Sequence, residues 1–339
     1  MAQEYACNKP SGFNNRIKKI AMVGAAGQMG KFIVAELLKK GTFEITAITR
    51  EGSPNKPVPG VEIKAVNYDD PSTLVAALKG QDALIITMSV LAPPDQHAKL
   101  VDAAAAANVP WVLPNEYGTD ASDKEVDADI QLGIQNRANR AHIEKLGKSS
   151  WVGIQCSFWY EYSLAIPGYG FNITDRTVTW YDDGKKRIST TTWPQVGRAI
   201  AAVLGLKVLP EDENDTSLTL SHYRNKSLYV SSFELTQRDM FESLKRVTGT
   251  TDADWNISSV DVKEYFKKHK EAVMNGGPRI HYGLMLYSRY FFPEVKGVLL
   301  EGKKDNERLG LPVEDLDEWT GVAVKMAEGR YAEKHFAQG

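Results

Sequence analysis

The chain has 339 residues, with 41 Lys and Arg against 43 Asp and Glu, and two cysteines, Cys7 and Cys156. That length suits one large domain or two joined ones, and the balanced charge without a basic run excludes a general nucleic-acid binder. No apolar run reaches the roughly eighteen residues of a membrane span. Two isolated cysteines without CxxC or His-rich neighbours predict neither a disulfide nor a metal site and suit a reducing, cytoplasmic setting.

Residues 1–16 lack the apolar stretch of a secretory signal and read as a flexible leader. "KKIAMVGA" then reads as a strand, and "QMGKFIVAELLKKG" as a helix with Phe32, Ile33, Leu37 and Leu38 on one side. "FEITAIT" and "VEIKAV" are the second and third strands, followed by the helix "STLVAALKG". "DALIITM" is a fourth strand with "DQHAKLVDAAAAANV" as its helix. "PWVLP", the helix "IQNRANRAHIEKLG" and the strand "WVGIQC" complete the series. Strands alternating with helices of this length predict a parallel sheet covered on both faces, and right-handed crossovers make it doubly wound.

After Cys156 the pattern changes. "RTVTWYDDGKKRISTT" predicts a β-hairpin, because Asp-Asp-Gly separates two β-rich arms. A helix "PQVGRAIAAVLG", a strand "SLYVSSF" and a helix "TQRDMFESLKRVTG" follow, with Thr236 as N-cap. Residues 259–292 and 313–328 read as mostly helical. The aromatic group Phe158, Trp159, Tyr160, Tyr162 and Tyr169 leaves the sixth strand where open α/β sheets place ligands, so these are candidate substrate contacts.

Gly24, Gly27 and Gly30 lie between the first strand and its helix. At such a turn one glycine ends the strand, a second lets backbone approach a pyrophosphate, and a third lets helix pack on strand. The helix N-terminus then offers free N–H groups and partial positive charge to phosphates. The expected cofactor contacts are Gly24, Ala26, Gly27, Gln28 and Met29. Arg50 ends the second strand, where a guanidinium suits a 2′-phosphate, so NADP(H) is expected over NAD(H). Thr87, Met88 and Ser89 end the fourth strand and are placed under the cofactor by topology alone.

The series GxxGxxG, "TRE" and "LPNEYG" resembles the NmrA-like, isoflavone reductase-like group of atypical short-chain dehydrogenases, with later segments similar to fungal members. The resemblance runs over roughly residues 17–328 and places Asn115 and Glu116 at the cofactor. It implies a Rossmann domain (17–158) and a smaller α+β substrate domain (159–330), with residues 186–232 returning to the Rossmann sheet and 331–339 as a tail. The family's reductases carry a lysine before an Ile-Glu pair; counting back from Ile143-Glu144 lands on Asn136. An amide is no useful acid or base near neutral pH. A one-turn shift of the helix would instead bring Arg137, Arg140 or Lys145 to the cleft. Tyr117 is the candidate phenol. The literal Tyr181-x-x-x-Lys185 spans the expected hairpin turn, not one helix face, and is treated as chance.

Asn136 and Tyr117 are therefore the candidate catalytic pair, with no metal. The first functional reading is an NADPH-dependent reductase of a small aromatic or conjugated molecule. The alternative is a non-catalytic NADP(H)-binding regulator of the NmrA type, which would have a protein partner. A redox-neutral isomerase or lyase is a third.

Overall fold

The computed structural model describes residues 3–54, 59–89, 92–120, 123–296, 299–300 and 302–331; positions 332–339 of the expected tail lie outside them. In chain order the first half runs β1 (Lys19–Val23), α1 (Gly30–Lys40), β2 (Glu44–Arg50), β3 (Glu62–Val66), α2 (Pro71–Leu78), β4 (Ala83–Ile86), α3 (Gln96–Ala106) and β5 (Trp111–Leu113). Then come β6 (Tyr117–Gly118), α4 (Lys124–Ile130), α5 (Leu132–Leu146) and β7 (Ser150–Gln155). The second half runs β8 (Phe158–Trp159), α6 (Tyr160–Ala165), β9 (Phe171–Asn172), β10 (Thr177–Tyr181), β11 (Ile188–Thr191), α7 (Trp193–Leu204), β12 (Lys226–Tyr229) and β13 (Phe233–Leu235). It ends with α8 (Gln237–Thr248), β14 (Asn256–Val260), α9 (Val262–Met274), α10 (Ile280–Tyr290) and α11 (Leu316–Glu328).

The main sheet has the order β12-β7-β5-β4-β1-β2-β3, all parallel, with β6 paired to β7. This is a Rossmann-type doubly wound sheet. Side chains alternate along β1: Ile20 and Met22 join the core beneath α1 and α7, while Ala21 and Val23 join the core beneath α2, α3 and α5. Strand order reverses between β1 and β4, so the ligand crevice of such a sheet lies at their carboxyl ends.

A separate aromatic core, with Tyr160, Tyr169, Phe171, Trp180, Tyr287 and Phe291, holds two three-stranded sheets and the helices α6 and α8–α11. Thr236 does cap α8: its hydroxyl accepts from Asp239 N while the Asp239 carboxylate takes Thr236 N–H, closing a capping box.

Four local expectations change. The hairpin does not form. β10 pairs with β14 and β9, whereas β11 pairs with β8 and β13. Asp182 adopts φ 54° and caps α9 through Val262 N (2.9 Å), and Lys186 is drawn to the carbonyls of Pro293 (3.0 Å) and Val295 (2.6 Å), so the arms part. "SLYVSSF" splits into β12 and β13 in different sheets. A further helix, α4, precedes α5 and is joined to it at Gln131, φ 61°. The leader is also not free. Ala6 and Cys7 donate to the carbonyls of Pro210 and Glu211 (2.9 and 3.0 Å), and the Asn15 amide satisfies both backbone groups of Leu209.

Candidate functional site

Parallel strands joined by crossover helices put each helix N-terminus at the carboxyl edge of the sheet. The glycine turn sits there, between β1 and α1. Gly24 has φ +79°, and a Cβ on it would stand 1.9 Å from the Thr87 carbonyl oxygen. A Cβ on Gly30 would stand 1.9 Å from the Gly24 carbonyl oxygen. Both are glycines because protein atoms leave no room. Gly27 is less crowded: among the described residues its Cβ would meet only Gly24, tightly at the carbonyl oxygen (3.0 Å) and loosely at its carbon (3.9 Å).

Among the described residues no acceptor takes the N–H of Ala26, Gln28 or Met29, and Gln28 Nε2 is buried without a partner. This is a cradle of donors at a helix N-terminus, which suits an anion. The Met29 side chain is buried in the core under α1, so its backbone N–H is the group that faces the turn. Arg50 is exposed at the end of β2, and no ion pair involves it among the described residues.

At the end of β4, Thr87 Oγ1 donates to Val23 O (2.8 Å), which ties the two strands together at the crevice. The Asn115 side chain is spent on β4, accepting from Met88 N (3.0 Å) and donating to Met88 O (3.2 Å). Its backbone N–H meets Nε2 of buried His97 (3.4 Å), whose pKa burial lowers to about 4. Ser89 is exposed.

Glu116 is a departure from the expectation of a cofactor contact. Both its oxygens accept from Arg140 Nε (2.9 Å each), and it is buried. Burial raises its pKa to about 7, against the pull of Arg140. A Cβ on Gly153 would stand 1.9 Å from Glu116 Oε1, so β7 needs glycine there to admit the pair. Arg140 also lies over the Trp151 ring (4.4 Å). The Gln155 amide, oriented to satisfy both ends, accepts from Arg140 and donates to Thr119 O, each at 2.8 Å.

Asn136 lies one helical turn before Arg140 on the same face of α5, nearer the carboxyl edge. It is half-buried, and its amide has no partner among the described residues. Arg137 is committed to Asp127, and Lys145 is exposed in the last turn. Among the described residues Tyr117 Oη is buried without a partner; burial above all, then Glu116 and Cys156, raise its pKa well above 10, so the phenol is neutral and a poor acid.

The aromatic candidates divide. Phe158 is buried, stacked on Tyr287 (4.5 Å) and edge-on to Tyr290 (5.2 Å). Trp159 and Tyr162 are part-exposed and cluster with Trp193 at the N-terminus of α7. Tyr160 and Tyr169 are corrections: both are fully buried, with hydroxyls bonded to Thr320 (2.6 Å) and Thr190 (2.8 Å). They hold the second core together rather than line a cleft.

Five residues beyond the sequence reading meet at this edge. Tyr290 of α10 bonds Thr119 Oγ1 (2.5 Å). Tyr229, at the end of β12, is in register with Gln155 and donates to Asp120 Oδ2 (3.2 Å). Lys303 reaches the same oxygen at 3.5 Å. These contacts are long-range in sequence, and no motif announces them.

The NmrA-like family model matches residues 16–164. "Oxidoreductase aprR" of Aspergillus flavus is 28% identical over 315 residues, covering 91% of this chain and 99% of that protein. "Oxidoreductase poxI" of Penicillium oxalicum is 24% identical over 317 residues, covering 91% and 94%. A solved structure described as AtPrR2 with NADP+ and (+)pinoresinol superposes with a TM-score of 0.70 at 19% identity, covering 92% of this chain and all of that one. No helix among the described residues is long and apolar enough to cross a membrane.

Proposed function

We infer that this chain, NmrA-like over residues 16–164, is an NADPH-dependent oxidoreductase that reduces a small aromatic or conjugated molecule. The observation that carries the cofactor is Gly27. Among the described residues its Cβ would meet only the backbone of its own turn, Gly24 O at 3.0 Å, and it borders a cradle of N–H groups that no described acceptor takes at the start of α1. The residues fit a dinucleotide: Gly24 to Met29 around the pyrophosphate, Arg50 toward a 2′-phosphate, and the Thr87–Ser89 edge beneath the ribose. Bound there, NADPH supplies a hydride. The oxidoreductase class is that of the full-length relatives, and the planar aromatic substrate follows from Trp159 and Tyr162 at the same edge.

The chain's own part is positional. The Glu116–Arg140 pair ties α5 to the segment between β5 and β6, and Arg140 also contacts Trp151 and Gln155 of β7, which holds Asn136 over the edge. Its amide can donate to a ribose hydroxyl or a substrate oxygen but cannot give up a proton near pH 7. That limit favours a second reading, a non-catalytic NADP(H)-binding regulator.

Two measurements decide. Arg50→Ala is expected to weaken NADPH by about 10- to 100-fold, the worth of charge-assisted contacts, while leaving NADH unchanged. Equal loss for both cofactors, or none, refutes the 2′-phosphate assignment. NADPH oxidation across aromatic ketones, enones, quinones and benzylic ethers separates the readings, since binding without turnover on any of them favours the regulator.

A further inference from the structure

We propose that Lys303 is the proton donor at this edge, held over Asp120 and Tyr229 and facing the bound cofactor and substrate. The proposal rests on the reductase reading above. The segment that carries Lys303 is tied down on both sides. Leu300 N donates to Ser189 Oγ (2.9 Å), and Lys303 N donates to Leu300 O (3.0 Å). Asp305 N donates to Tyr229 O (2.8 Å), while its carboxylate accepts from Tyr229 N (3.0 Å) and the Tyr223 hydroxyl (3.0 Å). Lys304 turns the other way, to Glu234 (2.8 Å). The ammonium of Lys303 is therefore delivered to one place, 3.5 Å from Asp120 Oδ2 and 5.5 Å from the Tyr229 ring centroid.

That place is the carboxyl edge. Tyr229 is the register partner of Gln155 in a parallel pair, so its side chain shares the Gln155 face, the one that Arg140 covers. Asp120 closely follows Asn115–Gly118, the segment that ends β5 and forms β6. Four other protic groups here are committed or buried. Glu116 is bound by Arg140 through both oxygens. Asp120 is buried between Tyr229 and Lys303. Tyr117 is buried, and Tyr290 is bonded to Thr119. Lys303 keeps 52% of its side chain exposed, and among the described residues one carboxylate oxygen engages one of its three donors. Lys303 thus combines a proton to give with room for a ligand.

The step balances for a carbonyl or enone. Carbon receives a hydride with its two electrons from bound NADPH, the π pair moves to oxygen, and the oxygen takes a proton from the Lys303 ammonium. NADP+ and a neutral amine result, and the amine recovers its proton from water.

The first test needs no turnover. The full chain is acetylated with a small amine reagent, with and without saturating NADP+, and Lys303 is followed by peptide mass analysis. Lys185, 74% exposed beside Asp183, is the reference. Lys303 is expected to react at least about fivefold more slowly with NADP+ bound, and Lys185 unchanged; equal rates at Lys303 overturn the placement. NADP+ binding is measured separately, so failure of the cofactor reading is visible on its own. Where turnover is found, Lys303→Met should keep NADPH affinity, lose about 10²- to 10⁴-fold in kcat, and recover part of it with added methylamine. Wild-type kcat in that variant also overturns the proposal.

Discussion

Gly24 and Gly27 are three residues apart, and the structure predicts opposite consequences for the same substitution. Gly24→Ala places a Cβ at φ +79° and 1.9 Å from the Thr87 carbonyl oxygen. The left-handed conformation costs about 1–2 kcal/mol with a Cβ, and forcing β1 from β4 adds on the order of 2 kcal/mol. For 339 residues the unfolding entropy is about 0.7 kcal/mol per kelvin. A loss of about 3–4 kcal/mol therefore lowers Tm by roughly 4–6 °C.

Gly27→Ala meets Gly24 O at 3.0 Å among the described residues, a tight contact that a shift of a few tenths of an ångström within the turn relieves. Reduced freedom of the unfolded chain favours the alanine by about 0.4–1 kcal/mol, so Tm stays within about 2 °C. The new methyl does occupy the space through which a pyrophosphate approaches. Losing one or two charge-assisted contacts there lowers NADPH affinity by about 10- to 100-fold. Thermal melts of the apo proteins and NADPH titrations by fluorescence read both effects. A Gly27→Ala protein that binds NADPH within twofold of wild type refutes the cradle. A Gly24→Ala protein with unchanged Tm refutes the steric argument.

Burial raises the Glu161 pKa to about 8, against the Trp193 N–H that its Oε1 accepts at 2.8 Å. The folded chain thus keeps a proton that the unfolded chain releases above about 4.5, and stability falls as pH rises from there toward 8. Between pH 5 and 8 the loss is on the order of 3 kcal/mol. Glu161→Gln should flatten the Tm–pH curve, and parallel curves would sink the assignment. Arg140→Gln leaves the Glu116 carboxylate buried without its cation, a loss of about 3–5 kcal/mol at pH 8. The loss shrinks at pH 6, where Glu116 carries its own proton. A pH-independent loss would mean that the Trp151 contact, not the ion pair, dominates.

The local half of this protein is legible in its sequence. The strand, glycine turn and helix of residues 19–40 follow from apolar alternation and the 3.6-residue period, interactions within one or two turns of chain. The same holds for the series through β7, apart from β6 and α4, and for the N-cap at Thr236. A left-handed residue packed against a strand end is also a local demand, which is why Gly24 is readable. Tertiary structure decided the rest, because pairing between distant segments depends on which surfaces can be buried together. It sent β10 and β11 to different sheets although a turn sequence joins them. It buried Tyr160 and Tyr169 whole, since their hydroxyls find Thr320 and Thr190 across the fold. Glu116 looked like a cofactor contact until Arg140 and the bare backbone of Gly153 closed around it. Lys303 stands 183 positions from Asp120, a distance over which no periodicity carries information; only the folded chain puts that amine at the carboxyl edge.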